Sequence, residues 1–345
     1  MTDSAGPAAP PRLVVIGEAL IDLVPGDRPG DYRARAGGSP FNVAIGLARL
    51  RHRTGLMARL ADDSFGRRLR AHAASEGVDL SRAAHAEQPT TLAVVSLDAQ
   101  GHAAYDFYVD GTADWQWTGA ELARLPQDTA VLHVGSLASW TAPGDGRILS
   151  AARRLRDGGN TLISYDPNIR PLLLAEPARA RGPVEDFVSV AHLVKASRED
   201  VEWLYPDEGP DRIAARWLEL GALAVVITDG ANGARLLRRD AAPIARPGRA
   251  IRLADTIGAG DAFTAGLLGG LARRALHTPE RLRRCDDGLL AATIDDAVLI
   301  SALTCERIGA DPPFASEHGA YTGTNEPLSP SDLCFADAGP VSAAS

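Results

Sequence analysis

Asp255-Thr256-Ile257-Gly258-Ala259-Gly260-Asp261-Ala262-Phe263 joins a glycine-flanked turn to an acidic residue where an apolar helix begins. Gly258 and Gly260 let the backbone turn so that successive N–H groups point outward, and a helix starting near Gly260 adds its partial positive charge. Such a place holds anions. Asp261 would repel a stored phosphate, but beside a phosphate under attack it makes sense as a base for the incoming hydroxyl. Gly258, Ala259, Gly260 and Asp261 are therefore candidate catalytic residues for phosphoryl transfer to an alcohol. The competing reading is structural, with Asp261 capping the helix and the glycines relieving strain. No Gly-Lys-Ser/Thr follows, so this is not a Walker loop. The third glycine of a dinucleotide fingerprint is missing, and the stretch lies far from the N-terminus.

Outward from this stretch, apolar runs alternate with helical patterns, as a mostly parallel sheet with crossover helices requires. Leu13–Ile16 reads as the first strand, and Val131–Val134, Leu162–Tyr165, Leu193–Lys195 and Ala224–Thr228 as further buried strands. Ser39 is expected to cap a helix with Pro40 as its first residue and Phe41, Ala44, Ile45, Ala48 and Leu50 on its apolar face. A second helix carries Phe65, Leu69, His72 and Ala73 and ends near Gly77. Two β-rich excursions break the rhythm, at Ile21–Ala36 and Thr91–Trp117, with a turn expected at Ala99-Gln100-Gly101. These strands suit a lid, and an ordinary edge hairpin is the alternative.

At 345 residues, 45% of them hydrophobic, the chain can bury a large core. A net charge of −8 and a pI near 5.5 argue against a general nucleic-acid binder. Cys285, Cys305 and Cys334 show neither metal-ligand spacing nor a disulfide framework, which suits a reducing cytoplasm. No run of about 18 apolar residues is expected to span a membrane, and no leader is read at the N-terminus. Residues 319–345 are rich in Ser, Pro, Gly and Ala and are expected to be a flexible tail.

Residues 255–263 resemble the DTxGAGD signature of the ribokinase-like sugar kinases. Other motifs follow in the order and spacing of the fructokinase-like branch. These are Gly17-Glu18 with Asp22, Gly37-Gly38-Ser39-Pro40-Phe41-Asn42, Asp166-Pro167-Asn168-Ile169-Arg170-Pro171, Thr228-Asp229-Gly230-Ala231-Asn232-Gly233 and Gly309-Ala310-Asp311. The resemblance covers about residues 12–315. It implies a ribokinase-like α/β domain, a central mostly parallel sheet flanked by helices, with a small β lid near 20–36 and 91–117. It also implies transfer of the ATP γ-phosphoryl group to a sugar hydroxyl, fructose being the favoured sugar.

Site roles follow from that resemblance. Sugar hydroxyls both donate and accept, so a site needs carboxylate and amide groups. Asp22 and Asn42 supply these, Gly37 and Gly38 allow close backbone approach, and Tyr105, Phe107, Asn168 and Arg170 join them on the substrate side. A turn role for Asp22 before Pro25-Gly26, a helix-start role for Asn42 and a surface ion pair for Arg170 are the structural alternatives. Relatives acting on 2-keto-3-deoxygluconate carry an arginine where Val109 aligns, so a neutral sugar is favoured. Lys195, Ser197, Thr228, Gly230 and Gly233 fall on the nucleotide side, with Gly258 and Gly260. Ser197 and Asp200 stand where the family often has Asn-x-x-Glu, and Asp200 is assigned an indirect role toward Mg²⁺. Asp255 and the Ile257 backbone resemble a monovalent-cation site, for K⁺. Val298 stands near the place of a polar adenine contact. ATP and a small sugar are the expected partners, with a homodimer left open. A 2-keto-3-deoxygluconate kinase, a noncatalytic sugar- or nucleotide-binding regulator and, remotely, a dehydrogenase are the competing functions.

Overall fold

The computed structural model describes residues 9–317 apart from 29, 98–102 and 175. The chain opens with β1 (Arg12–Ile16), β2 (Leu20–Pro25), β3 (Tyr32–Gly37), α1 (Ser39–Arg49), β4 (Arg53–Met57), β5 (Arg59–Ala61) and α2 (Ser64–Ser75). It continues through β6 (Ala84–Ala86), β7 (Leu92–Leu97), β8 (Ala103–Tyr108), α3 (Gly119–Leu122), β9 (Thr129–Gly135), α4 (Asp145–Asp157), β10 (Leu162–Asp166) and α5 (Pro177–Val190). The remainder is β11 (Leu193–Ser197), α6 (Arg198–Leu204), α7 (Pro210–Leu220), β12 (Ala224–Thr228), β13 (Ala234–Leu237), β14 (Ile244–Arg246), α8 (Ala259–Arg273), α9 (Pro279–Arg284) and α10 (Asp287–Cys305).

One eight-stranded sheet has the order β14-β13-β12-β11-β10-β9-β1-β4. Strands β4 to β12 in that row run parallel, and β13 and β14 complete an antiparallel edge. The two-residue period of a strand explains the two cores. Leu13 and Val15 face the same layer as Leu162, Leu193 and Val226, which packs on α1, α8 and α10. Val14 and Ile16 face the layer of Ile163, Tyr165, Val194 and Ile227, which packs on α4, α5 and α7. Both faces are covered, so the strands read as continuous apolar runs.

A separate four-stranded sheet, β3-β2-β7-β8, is built from the two excursions. It ends earlier than expected. Val109 packs against the helical layer of the main sheet, and Trp115 and Trp117 are buried within that layer. Their aromatic character suits a strand, but burial of two large rings outweighs local propensity. The turn at Ala99–Gly101 and the tail from 319 lie outside the described residues.

Two further expectations are corrected. Gly38, at φ 101, is the residue before α1, so Ser39 and Pro40 are its first two helical residues and Ser39 does not cap. Helix α10 spans 19 residues with mean hydropathy 1.6, long and apolar enough to cross a membrane. It is instead a core helix, with Leu290, Ile294 and Ala297 buried in the same apolar cluster as Phe263, Leu267 and Leu271 of α8.

Candidate active site

Asp166, Ser197 and Thr228 close β10, β11 and β12, and the register keeps these ends level, pairing Asp166 with Gly135 and Ser197 with Thr228. Ligands of open α/β sheets bind at this carboxyl edge. The start of α8 arrives here as well, since a Cβ on Gly260 would sit 3.2 Å from Lys195 Nζ. Gly258 precedes the helix at φ 76, the left-handed region, and a Cβ there would lie 2.6 Å from the Ala310 Cβ. Only glycine meets both demands without strain.

Asp261 does not cap α8, whose first turn carries no side-chain cap. Its Oδ2 instead accepts a hydrogen bond from Asn42 Nδ2 at 2.8 Å. Burial pushes its carboxyl up from the usual range, while Ser39, Asn42, Lys195 and Arg170 pull it back. Ser39 is a residue that sequence reasoning assigned elsewhere. It lies one helical turn before Asn42, on the same face, and its hydroxyl is buried without a hydrogen bond of ordinary geometry among the described residues.

The turn expected to hold an anion has fewer free N–H groups than the sequence suggested. Ile257 N–H donates to Asp255 Oδ1 at 3.1 Å, and Ala259 N–H donates to the Thr256 carbonyl at 3.2 Å. Those two amides are already committed, whereas no hydrogen bond engages Gly258 or Gly260 N–H among the described residues. Asp255 Oδ2 also accepts from Gly309 N–H at 2.8 Å, so this carboxylate fastens the turn to the loop after α10.

On the substrate side, Asp22 sits within β2 rather than in a turn. Its Oδ2 lies over Gly37, where any Cβ would collide with it, so the close approach requires glycine. Burial raises the Asp22 pKa to about 6, with Arg170 lowering it and Asp261 raising it. Asp22, Asp261 and Arg170 thus share one electrostatic neighbourhood. Arg170 Nη1 donates to Asn168 Oδ1 at 2.9 Å, and Asn168, at φ 39, donates from Nδ2 to Ser136 Oγ. Arg170 is therefore placed by its own loop, and among the described residues it is in no surface ion pair. Phe107 shares the face of the lid that carries Asp22, because both pair with Ala93 in adjacent strands. Tyr105 pairs with Val95, and its side chain lies outside the described residues.

On the nucleotide side, Gly230 and Gly233, at φ 49 and 93, form the turn joining β12 to β13. The hairpin reading of this segment holds, with Thr228 of β12 paired with Ala234 of β13. Ser197 and Asp200 form a reciprocal capping box at α6, with Asp200 Oδ2 accepting from Ser197 N–H at 3.1 Å. Asp200 Oδ1 accepts from Ile169 N–H at 2.9 Å, tying α6 to the Asp166–Arg170 segment. Among the described residues no group of three acidic, His or Cys side chains forms a metal cage. Lys195 is turned inward, 4% exposed, and donates from Nζ to Asp166 Oδ2 at 2.8 Å. It is not a free cation at the loops expected to bind the nucleotide. Val298 is buried in the apolar cluster of α8 and α10.

Two carboxyl groups lie where the lid joins the main sheet: Glu18, quoted in the Gly17-Glu18 motif without a role, and Asp114, which sequence reasoning missed. Glu18 and Asp114 are fully buried, and Asp114 Oδ1 accepts from Ala19 N–H at 3.0 Å while Glu18 Oε2 accepts from Ala138 N–H at 3.2 Å. Burial raises both to about 7. A carboxyl whose folded pKa exceeds its unfolded value contributes stability at low pH that is lost as pH rises through the folded value. The native chain should therefore lose stability between about pH 4.5 and 7 through Glu18. Glu18→Gln removes this contribution, in which every tenfold difference in proton affinity between the folded and unfolded chain is worth about 1.4 kcal/mol. The expected result is a flatter Tm against pH, and an unchanged slope would show that Glu18 does not titrate there.

The profile of the "pfkB family carbohydrate kinase" matches residues 10–316. A fructokinase of Rhizobium leguminosarum bv. trifolii is 36% identical over 281 residues, covering 81% of this chain and 85% of its own. The structure of a Xylella fastidiosa fructokinase with bound ATP superposes with a TM-score of 0.81 at 26% identity, covering 90% of this chain and 97% of its own. A double mutant of a Vibrio cholerae fructokinase, holding fructose, ADP and potassium ion, gives a TM-score of 0.79 at 26% identity, over 91% and 99% of the two chains. The continuous family match and the site at the carboxyl edge agree, and the chain belongs to the pfkB family of carbohydrate kinases.

Proposed function

We propose that this carbohydrate kinase transfers the γ-phosphoryl group of ATP to a hydroxyl of fructose, with Asp261 as the base. The observation that carries the reading is the Asp261 carboxyl, held by Asn42 at 2.8 Å at the uncapped start of α8 and within the fields of Arg170 and Lys195. Asp22 and Asn42 hold the sugar, with Phe107, Tyr105, Asn168 and Arg170 lining its site. Asp261 takes the proton of the attacking hydroxyl, and the N–H groups of Gly258 and Gly260 stabilise charge on the transferred phosphoryl. Thr228, Gly230 and Gly233 border the nucleotide. The lid excludes water that would compete as acceptor.

Mg²⁺ fits a site with few protein ligands, because it keeps several waters and is held largely by nucleotide phosphates. Asp200, whose two oxygens already accept backbone N–H groups, suits the outer sphere. When bound, the ion neutralises phosphate charge. Asp255 and the Ile257 carbonyl would hold K⁺ beside the anion-binding turn.

Val109 offers no cation to a substrate carboxylate; it packs on the apolar layer beside Trp115. Fructose is therefore expected to exceed 2-keto-3-deoxygluconate in kcat/KM. A buried charge left unpaired is rejected by roughly 10²-fold or more. A coupled ADP-release assay across both sugars checks this, and preference for the acid sugar would overturn the neutral-sugar assignment.

A further inference from the structure

We propose that Lys195 is a positioning residue whose positive charge, set beneath the first turn of α8, keeps Asp261 ionised at working pH, with Asp166 as the counter-ion that sets how much of that charge the base feels. This rests on the reading of Asp261 as the base. The ammonium of Lys195 is buried, donates to Asp166 at 2.8 Å and lies against Gly260, where a Cβ would approach to 3.2 Å. Gly260 immediately precedes Asp261, so any side chain there would press on the cation. A buried ion pair is a poor device for stability, since desolvation offsets much of its attraction. Its position under the base supplies a different reason for it.

The charges and dipoles around Asp261 come from several elements. Ser39 and Asn42 face it from α1, Asp22 from the lid, Arg170 from the loop after β10, and Lys195 from β11. Behind Lys195 stand Asp166 of β10 and Asp200 of α6, both of which bear on it. Carboxylates outnumber cations in this group, and burial opposes ionisation of Asp261 as well. Arg170 is half-buried and engaged with Asn168, whereas Lys195 is shielded from solvent, where screening by salt is weak. The two members of the ion pair must then act on the base with opposite sign.

The test is the pH profile of kcat at saturating sugar and ATP for the wild type, Lys195→Gln, Asp166→Asn and the double variant, with folding followed by circular dichroism and thermal unfolding. Removing the cation should move the acid limb up by about one pH unit, and removing its counter-ion should move it down by a similar amount. A purely structural pair changes stability or the plateau rate and leaves the limb in place. Unmoved limbs, or limbs that shift in the same direction in the two single variants, overturn the proposal. Lys195→Gln leaves Asp166 buried without its partner, so if it fails to fold, Asp166→Asn carries the test alone and must lower the limb. Normal turnover in Asp261→Asn would instead remove the base, whereas an inactive Asp261→Asn with unmoved limbs would remove only the role of Lys195.

Discussion

Asp261→Asn should fold, bind both substrates and turn over at least about a hundredfold more slowly than the wild type, because a positioned general base is typically worth about 10²–10⁴-fold. The substitution keeps an oxygen that can accept the Asn42 Nδ2 hydrogen bond, now 2.8 Å to the carboxylate, and removes the group that takes a proton. Stability should change little, since Asp261 caps nothing and its charge is opposed by burial. The measurement is kcat at saturating sugar and ATP, with chemistry confirmed as rate-limiting. Near-wild-type kcat in a folded variant would eliminate Asp261 as the base. A loss confined to KM would make it a substrate ligand instead.

Much of this arrangement was legible from residues 255–263, because a glycine turn running into an apolar helix has few uses and an acid in it has fewer. The strands were legible for a similar reason. Leu162–Tyr165 and Ala224–Thr228 are apolar on both faces, which only a sheet covered on both sides demands. Local pattern failed where tertiary packing decides. Trp115 and Trp117 look like a continuing β run, yet they leave the lid to fill the layer below it. Ser39 reads as a helix cap by its type, and only the φ of Gly38 shows the helix already begun. Asp114 carries ordinary surface chemistry in a sequence, and although Glu18 stands in a recognisable motif, nothing local announces that the chain crossings of the lid bury both. Lys195 did leave a signal. A lysine inside the apolar strand Leu193–Ser197 must find a buried counter-charge, and Asp166, ending the neighbouring strand, supplies it.

Asp22→Ala tests the other half of the site, the recognition of the sugar. In β2, Asp22 is opposite Arg35 and Ala93, and its carboxylate is held over Gly37 on the face of the lid shared with Phe107. A hydrogen bond to a charged group is worth about 1.5–3 kcal/mol, so losing it should lower kcat/KM for the sugar by roughly 10- to 150-fold. The ATP KM should stay nearly constant, because Asp22 lies in the lid and the loops proposed to border the nucleotide lie on the ends of β11 and β12. Folding should not suffer: burial already holds the Asp22 pKa at about 6, so a neutral side chain relieves a cost rather than adding one. Thermal unfolding and circular dichroism separate this outcome from misfolding, which would weaken both substrates together. Unchanged sugar kcat and KM would leave Asp22 as a residue of the lid strand with no part in binding. A selective loss for the sugar would tie the lid to recognition, since the acid acts from a strand that only the lid holds in place.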